Sequence, residues 1–207
     1  GGMMLLAPVS QAQNIRPHRC AHQEIEALNR ANNPTHRSIE EYQQMIENLM
    51  RKPSNNERNV ITIPVVVHVI HDNEAVGIGT NISASQIQSQ IDVLNEDFRR
   101  RLGTNGYNTD PDGADIEIEF CLAKVDPQGN LMPEPGIDRI DRVAEGFLSP
   151  PYAVSYHQNT IQPVTFWDPE RYMNIWTAPL ADDFLGFAQL PDSNLVPHKD
   201  GVVIMGN

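Results

Sequence analysis

Few residue groups in this sequence have the types and spacing that metal binding or catalysis needs. Among the 7 histidines, His68 and His71 come closest to a pair of metal ligands. Both lie in IPVVVHVIHD, whose β-branched run predicts a strand covered on both faces. Successive side chains of a strand point to opposite faces, so this i, i+3 spacing separates the two rings. We therefore expect no metal ion to be shared between them.

A second candidate group surrounds the first of the 2 cysteines, in the segment HRCAHQE. Cys20 stands between His18 and His22, and thiolates and imidazoles are both metal ligands. On a polar leader these three side chains would hold a metal ion only weakly. A free surface thiol, or a disulfide to sequence outside this chain, remains open for Cys20. Cys121 lies in an alternating segment and is expected to be a semi-buried strand thiol, with such a disulfide as the alternative.

The segment NTDPDGADIEIE nearly matches a calcium-binding loop. Asn108, Asp110 and Asp112 stand at alternate positions, Gly113 follows, and Glu119 occupies the place of the bidentate ligand. However, Asp-Pro-Asp-Gly is a strong turn signal in its own right, and a strand rather than a helix follows it. We expect a turn here, and we leave weak calcium binding open.

The elements that must position these residues follow from the hydrophobic pattern. A helix is expected over NISASQIQSQIDVLNEDFRRRLG, capped by Ser83 and stopped by Gly103. Its buried stripe is expected to consist of Ile87, Ile91, Leu94 and Phe98. Strands are expected over ADIEIEFCLAKVD, RYMNIWTAPL and DGVVIMG, and GFAQLP suits a sheet edge because it ends in proline. The first of these strands should bury Ile116, Ile118, Phe120 and Leu122.

This order of elements predicts an α/β (α+β) fold with a twisted mixed sheet and one long backing helix, which leaves one sheet face bare. Residues 1–13 read as the remnant of a signal peptide or as a disordered end. Residues 14–58 form a polar leader with short helices, one of them capped by Ser38 and Glu41, and a linker KPSNNERN. The sheet occupies residues 59–207.

Charge and hydropathy exclude several classes of partner. The formal net charge is −12 and the isoelectric point is near 4.9, so nucleic acid and anionic membranes would repel this surface. No apolar run approaches the roughly 20 residues that span a bilayer. The stretch MMLLAPVSQAQ, Met3 to Gln13, resembles the end of a secretory signal. We therefore expect a secreted or extracytoplasmic protein.

The blocks IPVVVHVIHD, ISASQIQSQIDVLNEDFRR, IEFCLAKVDPQGN, GIDRI, YMNIWTAPL, LGFAQLP and DGVVIMG follow one another in a familiar order. From about Ile63 to Asn207 this succession resembles the pappalysin family of metzincin zinc metallopeptidases. In that family the strand equivalent to DGVVIM leads to the active-site helix with the zinc motif H-E-x-x-H-x-x-G-x-x-H. None of those residues occurs here, so the resemblance implies a metzincin-like catalytic domain truncated before that helix and inactive by itself.

The resemblance also assigns roles to residues of this chain. It implies that Gly186, Phe187, Ala188, Gln189 and Leu190 form the upper edge of the cleft and pair with an extended peptide substrate. It implies zinc as the cofactor, with ligands outside this chain. Residues 14–58 would then be a pro-segment, Cys20 the zinc ligand that keeps the zymogen latent, and Arg58 the activation site.

Other interpretations stay open at this point. The Gly186–Leu190 stretch fits an internal strand as well as an edge. A non-enzymatic peptide-binding module that uses an exposed sheet edge, or a fragment that docks on a related protease, would share these features. The codons that follow Asn207 in the source DNA distinguish these possibilities from a protease zymogen.

Overall fold

One mixed sheet organises the part of the chain that the computed structural model describes, which comprises residues 19–33, 37–51, 59–189 and 196–206. Its strands are β1 (Arg19–Cys20), β2 (Ile61–His71), β3 (Ile118–Leu122), β4 (Ile137–Asp141), β5 (Met173–Ala178), β6 (Phe184–Ala188) and β7 (Val202–Met205). The longer helices are α1 (His22–Asn32), α2 (Ile39–Met50) and α3 (Ala84–Phe98). Shorter ones are the α-helical turns Val154–Tyr156 and Gln162–Thr165, the π-helical turn His157–Ile161 between them, and the 3₁₀ turn Pro197–Lys199.

Strand β2 is the centre of the sheet. The strand order is β1-β6-β7-β5-β2-β3, and β4 pairs with β2 beyond the end of β3. All of these pairs are parallel except β6 with β7. The β-branched run of β2 suits this position because both faces and both edges of the strand are covered. The expected α/β fold with a mixed sheet is confirmed, and most of its strand pairs are parallel.

Helix α3 covers one face of the sheet as its periodicity predicts. The Ser83 hydroxyl accepts a hydrogen bond from the Gln86 N–H, and Ile87 and Ile91 are buried against β2. The predicted end of the helix is wrong. It ends at Phe98 rather than at Gly103, because Arg100 takes a left-handed conformation with φ of 42° and breaks the helical run.

Strand β3 is shorter than its alternating pattern predicts. Glu117 has a φ of 60°, so the extended run begins only at Ile118, and Ile116 is exposed instead of joining the buried stripe. Cys121 is also exposed, which corrects the expected semi-buried thiol. Its side chain points away from the apolar face that Phe120 helps to form, as alternation along a strand requires.

The opposite face of the sheet is not bare, contrary to the expectation. The helical residues 154–165 pack on it, and Val154 and Ile161 share a core with Ile70, Trp176 and Val203. The Trp176 Nε1–H donates to the Thr165 hydroxyl at 2.9 Å, which joins the segment to β5. This cluster, which we call the main core, also contains residues of the leader.

The leader helices differ in how they contact the sheet. Ala21 and Ile25, at the start of and within α1, are fully buried in the main core. Helix α2 has the predicted capping box between Ser38 and Glu41, with both reciprocal hydrogen bonds formed. It buries none of its residues. Of the leader residues that the structure describes, those of β1 and α1 are therefore integrated into the fold, whereas α2 is not packed on the core.

Candidate functional site

Strand β6 contains most of the predicted substrate edge. The strand runs from Phe184 to Ala188, so it begins before the predicted Gly186, and Gln189 follows its end. Leu190 lies outside the described residues. Asp182 and Asp183 both have positive φ, at 60° and 58°, and form the tight turn that brings the chain into the sheet.

Gly186 allows β6 to approach β7 closely. A Cβ at this position would lie 2.5 Å from the carbonyl oxygen of Val203, which is closer than any side chain tolerates. The antiparallel register places Gly186 opposite Ile204 and Phe187 opposite Val203. Glycine is therefore required at position 186 for packing, because β6 and β7 approach closely there.

The outer edge of β6 is occupied by the leader strand β1. Arg19 pairs with Phe184 and Cys20 with Gly186 in a parallel arrangement. The Ala21 N–H then donates to the Gly186 carbonyl oxygen at 3.0 Å. This edge thus pairs with an extended backbone, and the backbone it holds belongs to the chain's own leader. Pairing of Gly186–Leu190 with a substrate stays a prediction.

The other end of the strand order is closed by a side chain. The Asn95 amide, on α3, accepts from the Phe120 N–H at 2.7 Å and donates to the Phe120 carbonyl oxygen at 2.9 Å. The N–H and carbonyl groups of Phe120 are therefore both hydrogen-bonded to Asn95, which hinders the pairing of β3 with a further strand. Of these two edges, the one at β6 is the better suited to an exchangeable peptide.

A buried histidine that the sequence did not indicate lies behind the β6 edge. The His157 ring packs edge-on against Phe187 of β6 at 5.6 Å and against Trp176 of β5 at 6.0 Å. Burial lowers its pKa to about 3, while the nearby Gln162 acts in the opposite direction. The imidazole is therefore neutral at physiological pH and acts as an aromatic packing group. No motif marks it, because its contacts come from strands distant in the sequence.

The two histidines of β2 lie apart, as the strand period requires. His68 is buried, with Nδ1 2.9 Å from Asp138 Oδ2 and Nε2 2.9 Å from Asn174 Oδ1. His71 Nδ1 instead accepts from the Asn73 N–H at the end of the strand. Both nitrogens of His68 are engaged by protein groups, so this ring is a structural link between strands.

The residues that the structure describes do not fit a zinc site by themselves. They contain no group of three or more His, Cys, Asp or Glu side chains placed to hold a metal ion. Cys20 is exposed at the β6 edge, whereas His18 and Arg58 lie outside the described ranges and the side chain of His22 is not described. A latency role of Cys20 and cleavage at Arg58 stay predictions.

The calcium-like loop is organised around a guanidinium group. Arg100 donates to the carbonyl oxygens of Asn108, Asp110 and Gly113. The Asn108 and Asp110 side chains accept from backbone N–H groups two residues further on, as in Asx turns. An arginine side chain thus binds carbonyl groups of the kind that a calcium ion prefers, which agrees with the turn interpretation.

Solved structures of mirolysin are similar to this fold. Promirolysin of Tannerella forsythia, as the mutant E225A, has 33% sequence identity and a TM-score of 0.62, over 91% of this chain and 59% of that chain. Mature mirolysin of the same organism, in complex with a cleaved peptide, has 37% identity and a TM-score of 0.55, over 74% and 54%. Mirolysin in complex with "compound 9" has 38% identity and a TM-score of 0.54, over 71% and 53%.

The chain is similar to a metzincin-type zinc metallopeptidase in its pro-form and mature form. This similarity confirms the resemblance at the level of the metzincins. Neighbours of this type imply zinc dependence in general. Membership of the pappalysin subfamily stays a prediction. The chain spans 53% to 59% of the length of the mirolysin structures that it matches. No protein-family model matches the chain. No curated protein matches it either.

Proposed function

We propose that this chain is the pro-segment and the N-terminal part of the catalytic domain of a secreted, pappalysin-like zinc metalloendopeptidase. The zinc ligands lie in sequence outside these 207 residues, so the chain by itself does not cleave peptides. The observation that carries the proposal is the leader strand β1 on the β6 edge, in a fold similar to promirolysin. An edge that already pairs with one extended backbone is suited to pair with an extended substrate after the first is removed.

The extent of the similarity supports the division at residue 58. The pro-form of mirolysin matches 91% of the chain, and the mature form matches 74%. A larger match to the pro-form is what we expect if residues 14–58 correspond to a pro-segment. Arg58 is the activation site in this proposal, since Pro53 protects the bond after Lys52 from trypsin-like cleavage.

The proposal also covers where the protein is located and whether it binds calcium. Secretion rests on the apolar stretch from Met3 to Gln13 and its small residues. No described helix is long and apolar enough to cross a membrane. Any calcium binding by this chain is proposed to be weak. In the loop that resembles a calcium site, Arg100 already binds the carbonyl oxygens that the ion would need.

A non-enzymatic peptide-binding module is the second candidate. It is favoured by one observation: the β6 edge pairs with a peptide backbone, and none of the contacts described there needs a metal ion. Such a module would bind extended peptides and release them unchanged.

One experiment separates the two candidates. The reading frame is extended past Asn207 into the natural coding sequence, and the longer protein is compared with the 207-residue chain. We expect the longer protein to bind zinc with a stoichiometry near one and to cleave peptides after the leader is removed. The 207-residue chain should do neither. A stop codon directly after Asn207, or a longer protein that binds peptides without cleaving them, would contradict the enzymatic proposal.

Latency through Cys20 is tested in the same longer protein. Replacing the thiol in Cys20→Ala removes the only metal-ligating group that the leader strand places at the β6 edge, since a methyl group cannot ligate a metal ion. We expect the uncut variant to hydrolyse peptides well above the uncut wild type, with equal mature activities. Full latency of the Cys20→Ala protein would contradict the thiolate switch and would favour steric blocking of the edge by the leader, or another ligand such as Glu24 or Glu26.

A further inference from the structure

The leader contacts the β6 edge through an apolar anchor as well as through its backbone. Ala21 and Ile25 have no exposed surface and pack in the main core together with Phe184 and Phe187 of β6. The backbone of β1 pairs with the same strand, and the Ala21 N–H donates to the Gly186 carbonyl oxygen. These contacts do not involve the thiol of Cys20, which is exposed.

Helix α2 does not add to this anchor. Helix α2 buries none of its residues, and its apolar side chains Ile46, Leu49 and Met50 are all exposed. Among the described residues of the leader, the buried ones therefore lie between Ala21 and Glu26, far in sequence from the linker after Arg51. Cutting that linker leaves the chain from Arg19 to Glu26 intact.

We propose that residues 19–33 bind the β6 edge as an independent ligand. After the linker is cut the leader stays bound non-covalently, and the same segment supplied as a separate peptide binds this edge in trans. The binding surface consists of the backbone edge at Gly186 and the part of the main core, with Phe184 and Phe187 of β6, in which Ile25 is buried. Cleavage of the linker and activation, which requires the leader to leave the β6 edge, are thus separate events. The inference rests on the proposed function only where it treats this edge as the substrate edge.

The decisive contrast lies between two side chains of α1. Ile25 is fully buried, whereas Leu28, of the same volume class and on the same helix, is 42% exposed. Because truncating a buried Ile to Ala typically costs enough to weaken binding at least about 30-fold, Ile25→Ala should strongly weaken the leader. Leu28→Ala should change the affinity by less than about threefold, since a half-exposed side chain loses little packing.

The test uses the full chain with a recognition site for a sequence-specific protease placed in the linker. After cutting, gel filtration and native mass spectrometry in the presence of a chelator report whether the leader remains with the sheet. Labelled peptides of residues 14–33 are then exchanged into the cut chain as wild type, Ile25→Ala, Leu28→Ala and Cys20→Ser. Placing the substitutions on the peptide leaves the folding of the sheet unaffected.

We expect the cut leader to co-elute with the sheet, and the wild-type, Leu28→Ala and Cys20→Ser peptides to bind alike. The Ile25→Ala peptide should bind at least about 30-fold more weakly. Separation of the fragments directly after cutting, equal binding of the Ile25→Ala peptide, or a loss with Cys20→Ser as large as with Ile25→Ala would overturn the inference. A chelator is present throughout, so these outcomes are independent of whether the longer protein proves to be a zinc peptidase.

Discussion

At the scale of single residues, His157 connects the core to the β6 edge. Its ring contacts Phe187 on β6 and Trp176 on β5, and Trp176 stacks in turn on His68 at 5.1 Å. Neither ring nitrogen of His157 has a hydrogen-bond partner among the described residues. Protonating this ring would bury a charge beneath the strand that holds the leader, and Gln162 would offset the cost only in part.

Acid should therefore destabilise the protein through His157. Burial lowers its folded-state pKa from 6.5 to about 3, so the unfolded state takes up the proton first as the pH falls. The stability that the neutral, buried His157 ring contributes is fully present above pH 6.5 and is lost progressively as the pH falls from 6.5 towards 3. We expect the free energy of unfolding to drop by about 1 kcal/mol between pH 6 and pH 5 through this group. Chemical denaturation across this range measures the slope.

The matched variant is His157→Gln, which keeps a polar side chain but does not titrate. It is expected to be less stable at pH 7 and to show a shallower loss of stability between pH 6 and pH 5. If the free energy of unfolding depends on pH equally in both proteins, His157 takes up its proton over the same pH range in the folded and unfolded states, which contradicts a buried, neutral ring.

Gly186 should be intolerant of any side chain. A methyl group in Gly186→Ala would lie 2.5 Å from the Val203 carbonyl oxygen, so β6 must move away from β7. We expect a loss of about 1–3 kcal/mol in the free energy of unfolding, as for other overpacked sites. Leu185→Ala is the control, because the neighbouring Leu185 is 46% exposed and loses little packing. Thermal unfolding of both variants gives the comparison, and equal midpoints would contradict the packing role.

At the scale of elements, the helices α2 and α3 start with similar caps but contribute differently to the fold. Ser38 and Ser83 each accept a hydrogen bond from the N–H three residues further on. Helix α3 buries Ile87 and Ile91 against the sheet, whereas α2 buries no residue. A helix that is not packed on the core does not share in its cooperative unfolding.

The same substitution at the two caps should therefore have different effects. Ser83→Ala is expected to lower the global free energy of unfolding by about 1 kcal/mol, the usual cost of losing an N-cap. Ser38→Ala should leave the global transition unchanged and only reduce the helical circular dichroism signal slightly. Equal losses from the two substitutions would indicate that α2 is packed on the rest of the protein.

At the scale of the whole molecule, the α3 side of the sheet is only partly covered. Beside α3 lies a cavity of about 220 Å³, lined by Val67, Ile87, Ile175, Thr177 and Ile204 among others. Ile204 on β7 is 40% exposed there. Apolar surface of this kind promotes association when nothing packs on it.

We expect the isolated chain to self-associate despite its net charge of −12. Amide exchange should show protection concentrated in β2 from Val65 to Ile70 and in α3 from Ile87 to Phe98. Ile204→Glu should reduce association measured by sedimentation, because it charges the open side of β7. Val164→Glu is the control, since Val164 is 66% exposed on the opposite face. A monomer with one sharp melting transition would favour a self-sufficient binding module.

The sequence by itself determined the elements whose signals are local. The β-branched run of β2, the apolar stripe of α3 and the serine caps of both helices are read within one element, and the structure contains each of them. Strands β5 and β7 lie where their apolar runs predict. Strand β6 also lies at the short apolar run GFAQLP, but its expected open edge is occupied by the leader strand β1, which no local feature indicated.

Only the tertiary structure decided which distant residues meet. The pairing of Cys20 with Gly186, the burial of Ile25 and the position of His157 behind Phe187 depend on contacts between segments far apart in the chain. The helical residues 154–165 carry a weak helical signal and are held by Trp176, so their pattern did not reveal them. The early end of α3 and the start of β3 depend on left-handed conformations at Arg100 and Glu117, which side chains of these types rarely adopt and no local pattern indicated.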